Sequence, residues 1–216
     1  DSYGAGKNGA VNGYPLNSFF LFRTDGFFKD QAEVDRYYAL YNDGGSALSN
    51  IGQGTADALR PGDTKRLDLN GDYKITADGN ENSDLQFVGD ANPHYVFGIN
   101  AGINWKGIDV SAMFQGVGGA KALYVGKYML LSDVEGNFNR SSEILNAWSP
   151  TNTGSDIPRL SKNDPNGNFT TASDWYLENA SYLRLKNITL SYTFPKQWLQ
   201  KAQIENARLS LSCENV

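Results

Sequence analysis

The 216 residues include 23 glycines and 12 tyrosines, with aromatics at 12% and a formal net charge of −5. Lys and Arg are scattered and form no basic stripe, which argues against nucleic-acid binding. A single cysteine, Cys213, excludes an intramolecular disulfide and a multi-cysteine zinc site, and a single histidine, His94, leaves almost no room for a catalytic triad.

Residues 1–16 (DSYGAGKNGAVNGYPL) are rich in Gly and Asn and read as loop. Asn17–Thr24 is strand-like, with Phe20 and Phe22 on one face and Phe19 and Leu21 on the other, and Asp25-Gly26 reads as a turn. Asp30–Tyr41 reads as a helix: Asp30 can cap, Glu33 sits three residues on, and Val34, Tyr37, Tyr38 and Tyr41 share a face. Residues 42–61 are irregular, and the polar motif DLNGDYKITAD follows at Asp68–Asp78.

Tyr95–Gln115 (YVFGINAGINWKGIDVSAMFQ) carries the clearest pattern. Tyr95, Phe97, Ile99, Ala101, Ile103 and Trp105 alternate with small or polar residues, except for Val96. Lys106-Gly107 interrupts, and Ile108, Val110, Ala112 and Phe114 resume the apolar set. Alternation on both sides of a two-residue, Gly-containing break predicts a β-hairpin. Tyr95 and Trp105 stand about 23 Å apart along a membrane normal if the strand tilts near 45°, close to the apolar band between the aromatic girdles of an outer-membrane barrel. A soluble sandwich would alternate too.

Residues 118–181 form a long connection with a short helix at Ser142–Trp148, stopped by Pro150. Tyr182–Phe194 returns to period two, Pro195 breaks it, and Ala207–Cys213 alternates again after a connector containing Trp198. Cys213 occupies an apolar slot of that strand. Long connections therefore fall at one end of the strands and short ones at the other, as in outer-membrane barrels. Trp105, Phe194 and Trp198 would share the lower end. No run of 18 apolar residues occurs, so no transmembrane helix is encoded; barrel strands never show such runs. The loop-like start and the strand pattern still running at Glu214–Val216 suggest a fragment.

Two patterns could carry chemistry. Asp68, Asn70 and Asp72 have the 1, 3, 5 spacing of a calcium loop, Lys74 can offer its carbonyl at position 7, and Ile75 takes the apolar position 8. Tyr73 stands where Gly is expected, and Asp78 falls one residue short of the closing carboxylate. The alternative is a solvated Asx-rich turn. Trp148, Trp175, Tyr176, Tyr124 and Tyr128 in the long connection could stack on sugar rings, or could pack the loop on itself. No nucleophile motif surrounds His94, no acidic pair stands out for glycoside hydrolysis, and no phosphate-binding GxxxxGK[ST] occurs, so the chain reads as a non-enzyme.

NSFFLFRTDGFFKDQAEVDRY, PGDTKRLDLNGDYKIT, FVGDANPHYVFGINAGINWKGIDVSAMFQGVGG, SYLRLKNITLSYTFPKQWL and ARLSLSCENV, in this order, resemble the C-terminal part of the SusC/RagA-type TonB-dependent receptors of Bacteroidetes. The resemblance runs from about residue 14. Tyr73 and the extended ADGNENSD after it are departures. It implies an all-β fold: an antiparallel transmembrane segment of a 22-stranded barrel, with long extracellular loops at about 29–94 and 118–181 that contain short helices. The plug domain, TonB box and N-terminal strands would lie outside these residues. It also implies import of oligosaccharides, or in some members peptides, across the bacterial outer membrane, with a SusD-like lipoprotein as lid and TonB pulling on the plug. Calcium would be structural. The competing expectation is a soluble, calcium-dependent β-sandwich that binds carbohydrate; a glycosidase domain ranks third.

Overall fold

The computed structural model describes residues 7–9, 11–41, 59–76, 83–134, 139–162, 164 and 166–215. In chain order the elements are β1 (Lys7–Gly9), β2 (Ser18–Phe22), β3 (Thr24–Phe27), α1 (Gln31–Tyr41), β4 (Thr64–Arg66), β5 (Leu85–Asp90), β6 (Tyr95–Trp105) and β7 (Ile108–Gly118). They continue with β8 (Lys121–Leu123), α2 (Gly126–Leu131), β9 (Leu177–Asn179), β10 (Tyr182–Thr193), α3 (Lys196–Leu199) and β11 (Arg208–Glu214). Two compact units share the chain: residues 1–91 with 122–178, and residues 92–121 with 179–216.

In the first unit β1, β2 and β5 form an antiparallel sheet, and β3 pairs with β4. Helix α1 starts where the sequence places it. The Asp30 carboxylate accepts from the Glu33 N–H at 2.8 Å, and the Glu33 carboxylate accepts from the Lys29 N–H at 2.8 Å. This is a capping box shifted one residue outward, and it satisfies two amides at the helix start. Val34 and Tyr37 of α1 bury against Phe22, Phe28, Leu59 and Ile75. A second cluster gathers Leu131, Ile157 and Phe169.

Three details differ from the sequence reading. Asp25-Gly26 is no simple turn: it lies inside β3, where the register with β4 slips and Gly26 takes φ +71°. The short helix near 142 is 3-10, Ser142–Asn146, with the Ser141 hydroxyl accepting from Glu143 N–H at 3.3 Å. Strands β1, β4 and β5 fall in stretches that read as loop, because three to six residues are too few to establish an alternation.

The second unit is a four-stranded antiparallel meander in the order β6-β7-β10-β11. Its hairpin turns at Lys106 (φ 49°) and Gly107 (φ 86°), the double positive φ of a two-residue type I′ connection. The Gly107 carbonyl accepts from Thr193 N–H at 2.8 Å, and a Cβ at residue 107 would lie 2.8 Å from the Thr193 carbonyl oxygen. Gly107→Val combines backbone strain with a backbone clash, so a loss of about 2–3 kcal/mol is expected, read as a lower unfolding midpoint of the full-length protein.

Register puts like with like. Trp105–Ile108–Tyr192–Leu209, Ile103–Val110–Leu190–Leu211 and Ala101–Ala112–Ile188–Cys213 form three rows on one face. Ile99–Phe114–Leu185 and Phe97–Gly116–Leu183 continue it. In β10 the apolar residues change phase, from Leu183 and Leu185 to Ile188 and Leu190. A bulge between Leu185 and Asn187 absorbs the extra residue, so both sets stay on the same face. Gly116 and Gly118 make room for the rings of Phe97 and Tyr95, which lie over them.

Candidate functional site

The apolar face of the meander has no second layer within its unit. Every residue of β6 and β11 is exposed, including Ile103 and Leu211 at 72% each and Trp105 at 62%. A water-soluble sandwich would cover this face with an opposing sheet about 10 Å away. The opposite face is polar and mostly small. Asn104–Asp109–Ser191–Ser210 and Gly102–Ser111–Thr189–Ser212 form its first rows, and Asn100–Met113–Asn187–Glu214 and Gly98–Gln115–Arg184 follow. Asp109 pairs with Arg208 at 3.2 Å and accepts a hydrogen bond from the Asn104 amide. The Arg184 guanidinium sits 4.1 Å from the Tyr182 ring centre. A sheet with one exposed apolar face and one small polar face suits a wall between hydrocarbon and an aqueous lumen.

The first unit holds an open groove of about 960 Å³. Lys127, Asn152, Asp156, Asp174 and Trp175 line it. Trp175 is clamped: its indole N–H donates to the Asp156 carbonyl at 2.6 Å, and Phe169 and Tyr176 meet it edge-on at 5.7 and 4.9 Å. The Lys127 ammonium stands 4.9 Å from its ring centre and donates to the Trp175 carbonyl at 2.7 Å. Glu178 completes that ammonium's partners at 2.5 Å. Asp174 is tied to β3 through the Thr24 hydroxyl at 2.6 Å and to Arg23 at 3.2 Å. Lys127 and Asp174 escaped the sequence reading, since isolated charges in a loop carry no periodic signal.

The five aromatics singled out from sequence divide. Trp175, Tyr176 and Tyr128 are brought together: Tyr176 and Tyr128 line an apolar cavity of about 260 Å³ beside the Trp175 cluster. Tyr176 is buried and donates its hydroxyl to the Phe169 carbonyl. Burial pushes its pKa well above the usual phenol range, and Asp164 adds to the effect. Tyr124 is exposed, and its N–H donates to the Tyr176 carbonyl at 2.8 Å. Trp148 is 7% exposed and packs where a side chain on Gly62 would strike it.

Residues 68–74 of the motif fold into a chain of Asx turns. Asp68 accepts from Gly71 and Tyr73 N–H at 2.7 and 2.9 Å, Asn70 from Asp72 at 2.8 Å, and Asp72 from Lys74 at 2.9 Å. Tyr73 adopts φ +62°, the conformation usually left to Gly at that position of a calcium loop. Ile75 is buried in the core. Buried Asp84 closes the loop from outside, accepting from Leu69 and Thr76 N–H at 2.8 and 2.7 Å. Burial raises its pKa against those two donors, and Asp68 and Asp72 push the same way. Asp78 lies outside the described residues. Among the described residues no three acidic, His or Cys side chains converge as a metal cage, and the side chains of Asp68, Asn70 and Asp72 accept from the loop's own backbone.

The first unit also contains a buried charge cluster. Asp63 receives Arg159 at 2.8 Å, the side-chain amides of Asn166 and Asn168 at 2.7 and 2.9 Å, and the Arg60 N–H at 2.8 Å. Asp164 accepts from the N–H groups of Asn168, Phe169 and Thr170, each at 2.8 Å. Arg66, 1% exposed, donates to the carbonyls of Asn166 and Gly167 and lies 5.9 Å from the Phe22 ring centre. Burial lowers its pKa, opposed by Tyr37, Asp164 and Asp63.

No family model matches the chain. It is 30% identical over 200 residues to TonB-dependent receptor P3 of Formosa agariphila, covering 91% of this chain and 19% of that protein. It is 27% identical over 213 residues to TonB-dependent receptor P26 of the same organism, covering 99% of this chain and 19% of that protein. The chain thus spans about a fifth of the length of the curated relatives it matches. Among solved structures it is similar to the RagAB peptide transporter, with a TM-score of 0.60 at 23% identity over 94% of this chain and 19% of that one. The RagAB peptide importer in its open-open state matches with a TM-score of 0.53 at 24% identity, again over 94% and 19%. Sequence relatives over almost the whole chain and the two-faced antiparallel meander agree: the chain is homologous to TonB-dependent receptors over about a fifth of their length, and its sheet has the fold of a stretch of β-barrel.

Proposed function

We propose that this chain supplies part of the wall and the extracellular loops of an importer in the bacterial outer membrane, energised by TonB and lidded by a SusD-like lipoprotein. The observation that carries this reading is the exposed apolar face of β6, β7, β10 and β11 backed by a face of amides, hydroxyls and glycines. Hydrocarbon is the medium that removes the cost of such a surface. Residues 29–94 and 118–181 would face outward and meet cargo.

The cargo proposed is an oligosaccharide. The groove beside Trp175 supports it, with an aromatic wall and side-chain amides, hydroxyls and carboxylates around it. Peptide is the second reading, because the similar solved structures are those of a peptide transporter and importer. Purified full-length receptor in detergent, tested against a glycan array and a tryptic peptide pool, separates the two. Glycan binding is expected; binding of peptides alone reassigns the cargo, and partitioning of the native protein into the aqueous phase without detergent overturns the barrel assignment. Trp175→Ala is expected to weaken glycan affinity roughly fivefold or more, with Trp175→Phe retaining most of it. Unchanged affinity in Trp175→Ala removes that residue from the site.

A further inference from the structure

Resting on the membrane reading above, we propose that the turn end of the meander is a docking surface for anionic phospholipid headgroups, held by Lys106, Lys196 and Lys201. The Lys106-Gly107 turn and the connector from Pro195 to Ala207 lie at one end of the sheet, joined by the Gly107–Thr193 hydrogen bond at 2.8 Å. The apolar face ends there in aromatic residues. Trp105 closes β6, Tyr192 lies in its row on β10, and Phe194 meets Tyr192 edge-on at 5.0 Å. Trp198 in α3 is 64% exposed. Aromatic side chains that expose both an apolar body and a polar edge settle at a membrane–water boundary.

The charges at this end are not balanced. Lys106, Lys196 and Lys201 are all exposed, and Glu205 is the exposed acid among them. Asp109, the other carboxylate nearby, is engaged by Arg208 on the polar face. The Lys106 ammonium sits 4.9 Å from the Trp105 ring centre, so its charge is held on the apolar side of the sheet. Lysine stems can lie along the apolar surface while their heads reach outward. A net positive rim continuous with a hydrocarbon-facing surface complements a layer of negatively charged headgroups, and each lysine adds roughly fivefold to attraction toward such a surface.

The test uses the full-length receptor in nanodiscs of phosphatidylethanolamine and phosphatidylglycerol at equal amounts, with retained lipids identified by native mass spectrometry after gentle delipidation. Wild type is expected to retain phosphatidylglycerol in excess. A K106Q/K196Q/K201Q variant is expected to insert normally and to lose roughly a hundredfold of that preference. A control variant with three lysines exchanged elsewhere, K29Q/K121Q/K162Q, should keep it. Equal retention in wild type and K106Q/K196Q/K201Q, with both proteins in the bilayer, overturns the lipid proposal alone. Failure of wild type to enter any bilayer overturns the membrane reading beneath it instead.

Discussion

Ala101→Arg in the full-length receptor is expected to destabilise the membrane-embedded fold by about 2–4 kcal/mol, while Asn100→Arg, one residue away, changes it by less than about 1 kcal/mol. Ala101 sits near the middle of β6 and shares a row with Ala112, Ile188 and Cys213 on the exposed apolar face. An arginine there would carry its guanidinium into hydrocarbon at the depth where no water reaches it. Asn100 faces the other way, beside Met113 and Asn187, where a long polar side chain can stay hydrated. The measurement is the unfolding midpoint in urea of protein reconstituted in phospholipid vesicles. Equal effects at the two positions would mean that the two faces see the same medium, and the wall assignment would fail.

Asp63→Ala should act on the first unit. The carboxylate is fully buried and gathers a guanidinium, two side-chain amides and a backbone N–H from segments about a hundred residues apart in sequence. Removing it leaves Arg159 without its buried counter-ion and takes away the Asn166 amide's acceptor at 2.7 Å, while the Asn168 amide keeps only the Arg159 carbonyl at 3.3 Å. Breaking a buried pair from one side costs about 3–5 kcal/mol, more than the pair itself contributes, because the remaining charge keeps its desolvation penalty. Hydrogen exchange is the suitable readout: faster exchange is expected across residues 59–66 and 159–170, with β6, β7, β10 and β11 unchanged. Thr64 N–H, which donates to Asn168 at 2.9 Å, should be among the first to lose protection. Asp63→Asn should fall between, since it keeps one acceptor oxygen but no charge.

These two variants probe regions of very different legibility. The hairpin was readable residue by residue. Strict alternation, bracketing aromatics and Lys106-Gly107 located β6, the turn and β7 within one residue of where they lie. A long, two-sided environment imposes its period on the sequence, so the pattern survives without any knowledge of the partners. The capping pair Asp30 and Glu33 was equally local, and α1 begins where they placed it. The resemblance of five ordered motifs to one receptor family agrees with relatives that cover almost all of the chain.

The loop unit was far less legible. Short strands such as β4 give no period, and contacts that tie the unit together join Thr24 to Asp174 and Asp63 to Arg159 across long separations. Nothing in the neighbourhood of Asp63 distinguishes it from the other acidic residues of a solvated loop. Trp148 and Trp175 look alike in the sequence, yet one is sealed against Gly62 and the other borders a groove. The β10 bulge belongs to the same class: only the register with β7 reveals that a change of phase keeps Leu185 and Ile188 on one face.

The sequence by itself determined the meander's strands, their two chemically distinct faces, the tight Lys106-Gly107 turn and the start of α1, because each depends on spacing between near neighbours. Tertiary structure alone decided which acid is buried, which tryptophan borders the groove and how β10 holds its register. Those outcomes depend on desolvation and pairing between residues brought together from distant parts of the chain, and local spacing holds no record of them.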